Sequence, residues 1–344
     1  MDTHEIKKQV QAILGDGIVV IVGCGLSSAE GIPGMHELSK HLIEAIPYYL
    51  SSEEKQVWTE IELSLNSGVG LEQALDGKDL TKSLNDAITQ ETSKLIGNAE
   101  RKIINEIISS NKVLRFSSLA KALPPWPNNI SVLTTNYDRL IEIACEAVGK
   151  RVDSSFIGHS IAVFDPKESL YTFCKGIRKK QGKICLDYAP RIKVLKPHGS
   201  LDWYYIGGRP VRCPYDIEQP PLLIIPGGTK YRAGYNEPFD AHREAANQKI
   251  DQAKRYLIIG YGFNDDHLQT HLERNLIEGK LALIISRDLS DSAIELLNKS
   301  PNMMALYSDK SNPGNTIFRN YDGATYSIQG NFWDLGNLVE EVFI

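Results

Sequence analysis

The sequence predicts an α/β fold, a doubly wound parallel sheet with helices on both faces, and three observations lead there. Four short runs are rich in Ile, Val and Leu without polar alternation: IVVIV (18–22), ISVLTT (130–135), YLIIGY (256–261) and LALIIS (281–286). Strands buried on both faces carry such runs, whereas a strand with one wet face alternates. The stretches between them place apolar residues at helical spacing, as crossover helices of a parallel sheet do. Finally, the runs break into glycine, or into Asn and Asp, at their carboxyl ends, the edge where open parallel sheets bind ligands.

Taken in order, the elements bear this out at the level of pattern. The stretch GIVVIVGCGLSSAEGIPG (17–34) is a buried strand followed by small and turn-forming residues. Residues 51–121 hold Leu, Ile and Ala at helical spacing among many charges and read as an inserted helical module. PPWPNN (124–129) closes it, because adjacent prolines cannot continue a helix. Residues 151–221, rich in Tyr, Pro and Gly, read as a smaller irregular α/β module, and LLIIPGG (222–228) as a fifth strand. Residues 301–344 supply a closing strand and helix. The parallel sheet is then a Rossmann-like domain built from 1–50 and 122–300, interrupted by the two insertions.

Composition bounds the rest. The chain has 344 residues, 42% hydrophobic and 24% charged, enough for one large or two unequal domains. A net charge of −5 gives no overall pull toward nucleic acid or an anionic membrane. KGIRKK near 174–180 and KYR at 230–232 are the only candidate basic patches, and solvated loop faces are the reading favoured for them. The N-terminus MDTHEIKKQV has no apolar signal core, and no run approaches the roughly 20 apolar residues of a membrane span. Five cysteines (24, 145, 174, 185, 213) without a CxxC pair suit a reducing compartment, so the expected location is cytoplasmic.

Four stretches could carry chemistry. Gly23-x-Gly25-x-x-Ser28 after the first strand can bring backbone N–H groups against a pyrophosphate, or simply make a tight strand-to-helix turn. It misses the strict GxGxxG, and Glu44, the acid at suitable spacing for a ribose hydroxyl, lies within a helical run. LTTNYDRLIE (133–142) sets Asn136 and Asp138 past a strand end, as ligand contacts or as caps of a helix beginning near Tyr137. VLKPHGSLDWYY (194–205) holds His198 on a constrained turn, either a proton acceptor or a hydrogen-bonded structural imidazole. Trp203, Tyr204 and Tyr205 are core or pocket wall. YLIIGYGFNDDHLQTHL (256–272) has a second glycine turn, Gly260-Tyr261-Gly262, opening a helix. Its His267 and His271 share a helix face but lack an HExxH motif, so no metal site is expected.

Together, and in this order, these stretches resemble a sirtuin-type NAD⁺-binding domain. GCGLSSAEGIP resembles that family's Gly-Ala-Gly-x-Ser loop with its Gly-Ile-Pro ending, TTNYD its Thr-Gln-Asn-x-Asp segment, and KPHGS the segment of its catalytic histidine. IIGYGF lies where the family has a late glycine turn, and LIISRD where a strand end meets the adenosine half. The resemblance therefore implies Asn136, Asp138 and His198 as catalytic residues. It implies cofactor contacts from Gly23, Cys24, Gly25, Ser27, Gly31, Ile32, Pro33, Thr135, Gly260, Tyr261, Gly262, Phe263 and Ser286. Gly23 and Gly25 would clear space for the pyrophosphate, with Ser27 and the Gly31-Ile32-Pro33 turn shaping the wall beside it.

The departures point to a branch of that family. The ordinary deacylase has four zinc-binding cysteines and continues Gly-Ile-Pro into Asp-Phe-Arg, whereas here Gly34, Met35 and His36 follow and no cysteine quartet is present. TTNYDRLIE and GYGFNDDHL resemble instead the divergent bacterial sirtuin-like proteins of antiphage defence, which hydrolyse NAD⁺. That resemblance implies an NAD⁺ hydrolase releasing nicotinamide and ADP-ribose, with NAD as substrate and no metal, acting as an abortive-infection effector. It also implies a homo-oligomer, held in check by a ring-forming ATPase or an Argonaute-like partner of the same defence system, with no direct nucleic-acid or membrane binding. The alternatives are an NAD-dependent protein deacylase or ADP-ribosyltransferase on the same site, and an inactive NAD⁺ or ADP-ribose-sensing scaffold subunit. A hydride-transfer dehydrogenase lacks its fingerprint and leaves the Asn-x-Asp and His-Gly turns without a role.

Overall fold

The computed structural model describes residues 2–123, 130–180, 182–227 and 236–343. Its strands are β1 (Ile18–Val22), β2 (Ile130–Thr134), β3 (Val152–Asp153), β4 (Phe156–Ile157), β5 (Ala162–Phe164), β6 (Cys174–Lys180), β7 (Lys183–Tyr188), β8 (Ile192–Leu195), β9 (Trp203–Ile206), β10 (Arg209–Arg212), β11 (Arg255–Ile259), β12 (Leu281–Ile285), β13 (Met303–Ser308), β14 (Asn315–Arg319) and β15 (Thr325–Gln329). The helices are α1 (Thr3–Gln11), α2 (Cys24–Glu30), α3 (Met35–Ala45), α4 (Glu54–Asn66), α5 (Leu71–Leu75), α6 (Lys82–Ser110), α7 (Arg115–Ala122), α8 (Leu140–Ala147), α9 (Pro166–Tyr171), α10 (Phe239–Gln252), α11 (Asp266–Ile277), α12 (Asp291–Lys299) and α13 (Leu335–Leu338).

The fold is α/β, built on a nine-stranded sheet in the order β15-β14-β13-β12-β11-β1-β2-β8-β3. From β13 to β3 every neighbouring pair is parallel, and β14 and β15 continue the sheet antiparallel. The unbroken apolar runs are explained by their two burying faces. Ile18, Val20 and Val22 join Val132, Val194, Leu257 and Leu283 in one core layer. Val19 and Ile21, one residue out of phase, join Leu133, Leu195, Tyr256 and Ile258 in the other. α1, α7, α8 and the C-terminal segment cover the first layer, and α10, α11 and α12 the second. Each fully buried Val or Ile contributes about 1.5–3 kcal/mol.

Several elements differ from the sequence pattern. Residues 151–221 include β8, a strand inside the large sheet, together with an antiparallel sheet β4-β5-β10-β9 and the hairpin β6–β7. β8 has four residues and carries Lys193, so no apolar run announces it. Residues 222–227 form no strand and make an isolated bridge, Gly199 to Leu223, because prolines at 220, 221 and 226 cannot donate to a ladder. Residues 301–344 add β13 and β14 to the strand and helix expected there, and β13 enters the parallel sheet. PPWPNN (124–129) and KYR (230–232) lie outside the described residues.

α4 to α7 occupy 54–122 without a strand, but the packing does not respect the expected boundaries of that module. Leu38 and Leu42 of α3, before it, share a core with Trp58, Ile61, Leu75 and Ile88. Ile96 and Ile103 of α6, and Phe116 and Leu119 of α7, pack instead on the large sheet. The reason is the length of α6, whose 29 residues reach from one core to the other. Among the described residues, no helix is long and apolar enough to cross a membrane.

Candidate functional site

β11, β1, β2 and β8 are consecutive in the sheet and parallel, so the loops at their carboxyl ends emerge along one edge. Those loops are the four stretches singled out from sequence. Beneath them lies a cavity of about 250 Å³ that brings together Gly23, Cys24, Ser27, Ile32, Pro33, Thr135, Asn136, Asp138, His198, Tyr261 and Gly262. A second cavity, about 430 Å³, lies across the glycine turns and takes in Gly25, Gly260 and Ser286, with Arg115, Arg287, Asp288 and Trp333.

The glycines have a reason that sequence could not supply. A Cβ on Gly23 would meet Gly260 O and stand 2.6 Å from Tyr261 Cα, and one on Gly25 would stand 2.8 Å from Gly260 Cα. Gly23 N–H donates to Ile259 O at 2.9 Å and Gly25 N–H to Gly260 O at 3.0 Å. The two turns are thus locked backbone to backbone, and Gly260, at φ 55, adopts the left-handed conformation this requires. A side chain at Gly23 or Gly25 would therefore meet the Gly260 turn first, while both glycines line the cavities with their backbone.

Asn136 is buried and lies two residues past the end of β2. Its Nδ2 donates to Gly23 O at 2.9 Å and to Ser27 Oγ at 2.8 Å, so both amide protons are used and the carbonyl Oδ1 is its remaining polar group. Ser27 in turn lies beside the Asp138 carboxyl and favours its charged form. Asp138 Oδ1 also accepts from Leu140 N–H at 3.1 Å, at the start of α8, which begins there rather than near Tyr137. Asp138 therefore caps the helix and braces Ser27 while lining the cavity. Burial raises its carboxyl above the usual range, against the opposing pull of the Lys196 ammonium. Lys196, fully buried, donates to Asp138 O and lies 3.5 Å from Glu142.

His198 sits on the turn after β8, also buried, with its Nε2 3.0 Å from Asp265 Oδ2. Its carbonyl accepts from Ile224 N–H at 3.0 Å, and Tyr137 Oη donates to Ile224 O at 2.6 Å. The 222–227 segment is thereby fastened over the cavity. Burial pushes the Tyr137 phenol up, so it stays protonated. Among the described lining residues, the charged side chains are all carboxylic: Glu72, Asp138 and Asp265.

Two of the expected contacts lie elsewhere. Phe263 is buried in the core, edge-on to Tyr261 at 5.1 Å between ring centroids, and lines neither cavity. Its φ of 55 continues the turn begun at Gly260 and sends the ring inward. Gly31 ends α2 at φ 111 and also lines neither, so its part is to terminate the helix. Glu44 is exposed on α3, Trp203 packs at a tilt on His242 in the interior, 4.7 Å between ring centroids, and His271 bonds Asp251 at 3.0 Å. The His267 side chain lies outside the described residues. Among the described residues, no group of three or more His, Cys, Asp or Glu could hold a metal ion.

Sequence reasoning missed Asp265 and Asn264, both just after the second glycine turn in YLIIGYGFNDDHLQTHL, and the wall formed by Leu38, Glu72 and Ile96. The first two carried a signal, a side-chain amide and a carboxylate following a glycine turn at a strand end. The wall carried none, because α3, α5 and α6 reach the site only through the packing of the helical layer.

A model of the SIR2-like domain matches residues 130–301. Among solved structures, one on the mechanism and regulation of Sir2 enzymes is similar at 13% identity and a TM-score of 0.44, covering 99% of this chain and 98% of that one. Another, Sir2Tm bound to a propionylated peptide, is similar at 15% identity and a TM-score of 0.39, covering 83% and 87%. No curated protein matches the sequence significantly.

Proposed function

The chain belongs to the SIR2-like family, and from that premise we propose that it is an NAD⁺ glycohydrolase, cleaving the nicotinamide–ribose bond to give nicotinamide and ADP-ribose. The observation that carries this reading is the convergence of Asn136, His198 and the Gly23–Ser27 turn on one cavity at the carboxyl edge of the sheet. The second cavity, across the glycine turns at Ser286, offers room for the adenosine half.

The chemistry follows from the side chains. Water forms a bond to ribose C1′ as the C1′–nitrogen bond breaks, with the electron pair leaving on nicotinamide. Nicotinamide departs neutral from a cationic ring, so no acid is needed for the leaving group, and positive charge builds on the ribose. A wall whose charged groups are carboxylic suits both the ring and that charge. Asn136, with both amide protons committed, presents Oδ1 as an acceptor that orients the water or a ribose hydroxyl. His198 takes the water's proton. Asp138 positions Asn136 through Ser27. In a cell such activity depletes NAD⁺, which suits an antiphage effector acting as a homo-oligomer under control of a defence-system partner.

Chromatography of NAD⁺ incubated with purified protein, alone and with its genomic-neighbour product, tests the reading. Nicotinamide and ADP-ribose should appear in equal amounts. Asn136→Ala and His198→Ala should each lower the rate by about 10²-fold or more while the circular dichroism spectrum is kept. Parental turnover in both folded variants would remove the site assignment, and an acylated ribose product or modified protein would replace hydrolysis by transfer.

A further inference from the structure

The turn that carries His198 and the loop that carries Asn136 leave neighbouring strands, β8 and β2, and one side chain spans them. Lys196 follows β8 directly and is fully buried, although taking an ammonium out of water is expensive unless its charge is met. Each of its polar groups is engaged in holding the site. Its N–H donates to Nδ1 of His242, on α10, at 3.1 Å. Its carbonyl accepts from Gly199 N–H at 3.1 Å, closing the turn on which His198 stands. Its Nζ crosses to the other loop, donating to the Asp138 carbonyl and, at 3.4 Å, to the Tyr137 carbonyl, with Glu142 Oε1 of α8 3.5 Å away. Leu201 N–H shares the Tyr137 carbonyl at 3.0 Å, whereas the Asp138 carbonyl is met by the ammonium. Lys196 does not line the cavity, so it can act on a substrate only through these neighbours.

We propose that Lys196 is the positioning residue that joins the two loops of the site: its ammonium, seated on the Tyr137 and Asp138 carbonyls and balanced by Glu142, fixes Asn136 and Asp138 relative to His198. The inference rests on the glycohydrolase reading above, in which Asn136 and His198 must act together at one ribose. Lys196 exchanges no proton and forms no bond in that step. It removes the freedom of the two loops to drift apart, and a misplacement of about 1 Å costs about 10²-fold in rate. A second effect is electrostatic. Burial raises the Asp138 carboxyl and the Lys196 charge opposes it, so the lysine favours an anion on the wall where positive charge builds on the ribose. The other groups facing Asp138 are Ser27, Cys24 and Glu100, the last paired with Arg139. Those facing the ammonium are Glu142, Asp202 and His242. Glu100 acts on Asp138 in the same sense as burial, so Lys196 is the cation that offsets both.

Two variants of the full-length protein test this, Lys196→Met and the same change combined with Glu142→Gln. The single variant leaves the Glu142 carboxylate buried without its cation and should lose stability, whereas the double variant removes both charges and should regain the parental urea midpoint. In both, kcat should fall about 10²-fold with KM little changed, and the acid limb of the kcat profile should move to higher pH as Asp138 takes up a proton more readily. Recovery of kcat together with the urea midpoint in the double variant would reduce Lys196 to a structural charge and overturn the proposal. Carbon NMR of the Asp138 carboxyl, assigned against Asp138→Asn and recorded without NAD⁺, reads the electrostatic part independently of turnover. Its titration should move to higher pH in either variant. Should neither variant fold, nitrogen NMR of the parent decides: a Lys196 ammonium slow to exchange with water is expected, and a freely exchanging one overturns the assignment. An inert parent whose Asp138 titration shifts as expected would end the glycohydrolase reading and keep the link between the loops. An active parent whose kcat, acid limb and Asp138 titration survive both changes would end the link and keep the enzyme.

Discussion

Replacing Gly23 by alanine isolates the contact between the two glycine turns. Gly23 has φ −103 and ψ −176, extended backbone that alanine adopts without strain, so any cost is steric. The added Cβ would sit against Gly260 O and 2.6 Å from Tyr261 Cα, both main-chain atoms that no rotamer change can move aside. Either the 260–261 turn shifts, or α2 does. Both routes strain the Gly23 to Ile259 and Gly25 to Gly260 hydrogen bonds. Overpacking of this kind costs about 1–3 kcal/mol and one weakened backbone bond about 1 kcal/mol more, so about 3 kcal/mol is expected. At about 2 °C per kcal/mol for a chain of this size, Tm should fall by about 6 °C. Turnover should fall too, since Asn136 Nδ2 is held by Gly23 O. Gly34→Ala is the control: its Cβ would meet the Glu37 carboxylate, 3.2 Å away at the end of a flexible side chain, and Ser28 Oγ at an ordinary contact of 3.8 Å. Thermal unfolding of the two variants decides it. If Gly23→Ala melts with the parent, the two turns are not locked as described, and the glycine serves a ligand instead.

Two further perturbations probe what holds the site. Burial pushes His242 from 6.5 down to about 3, so the folded protein keeps it neutral where the unfolded chain protonates it. Its contribution is complete above pH 6.5 and is lost as pH falls toward 3, at up to about 1.4 kcal/mol per pH unit. Denaturation midpoints between pH 7 and 5 should therefore fall more steeply in the parent than in His242→Gln, and parallel slopes would contradict this. Glu100 of α6, fully buried, accepts from Arg139 N–H and from its guanidinium, at 3.0 Å from Nε, at the start of α8. Glu100→Ala should cost about 3–5 kcal/mol by stranding the arginine. An unchanged urea midpoint would show that the pair contributes nothing.

Much of the site was legible because its parts are local. A strand buried on both faces must be apolar throughout, and IVVIV, ISVLT and LALII announce themselves as β1, β2 and β12 from composition alone. Turns past strand ends likewise draw on a few residue types, so Gly23, Asn136, His198 and Gly260 stand out singly. Even there a local reading misled. Asp138 was readable both as a helix cap and as a cavity residue, and it is both. Phe263, adjacent to a true lining residue, turns inward because the backbone at φ 55 reverses it.

By itself, then, the sequence determined the class of the fold, four of its parallel strands and the turns that could hold chemistry, since each depends on residues within a few positions of one another. Tertiary structure alone decided which turns meet. β8, too short and too polar to be read, lies beside β2 and carries His198 to the shared edge. The order of the strands brings Asp265 against that histidine, and helical packing sets Leu38, Glu72 and Ile96 across the opening. The physical reason is that hydrogen-bonded strand order and side-chain packing join residues far apart in the chain, and neither leaves a periodic trace in the segments it joins.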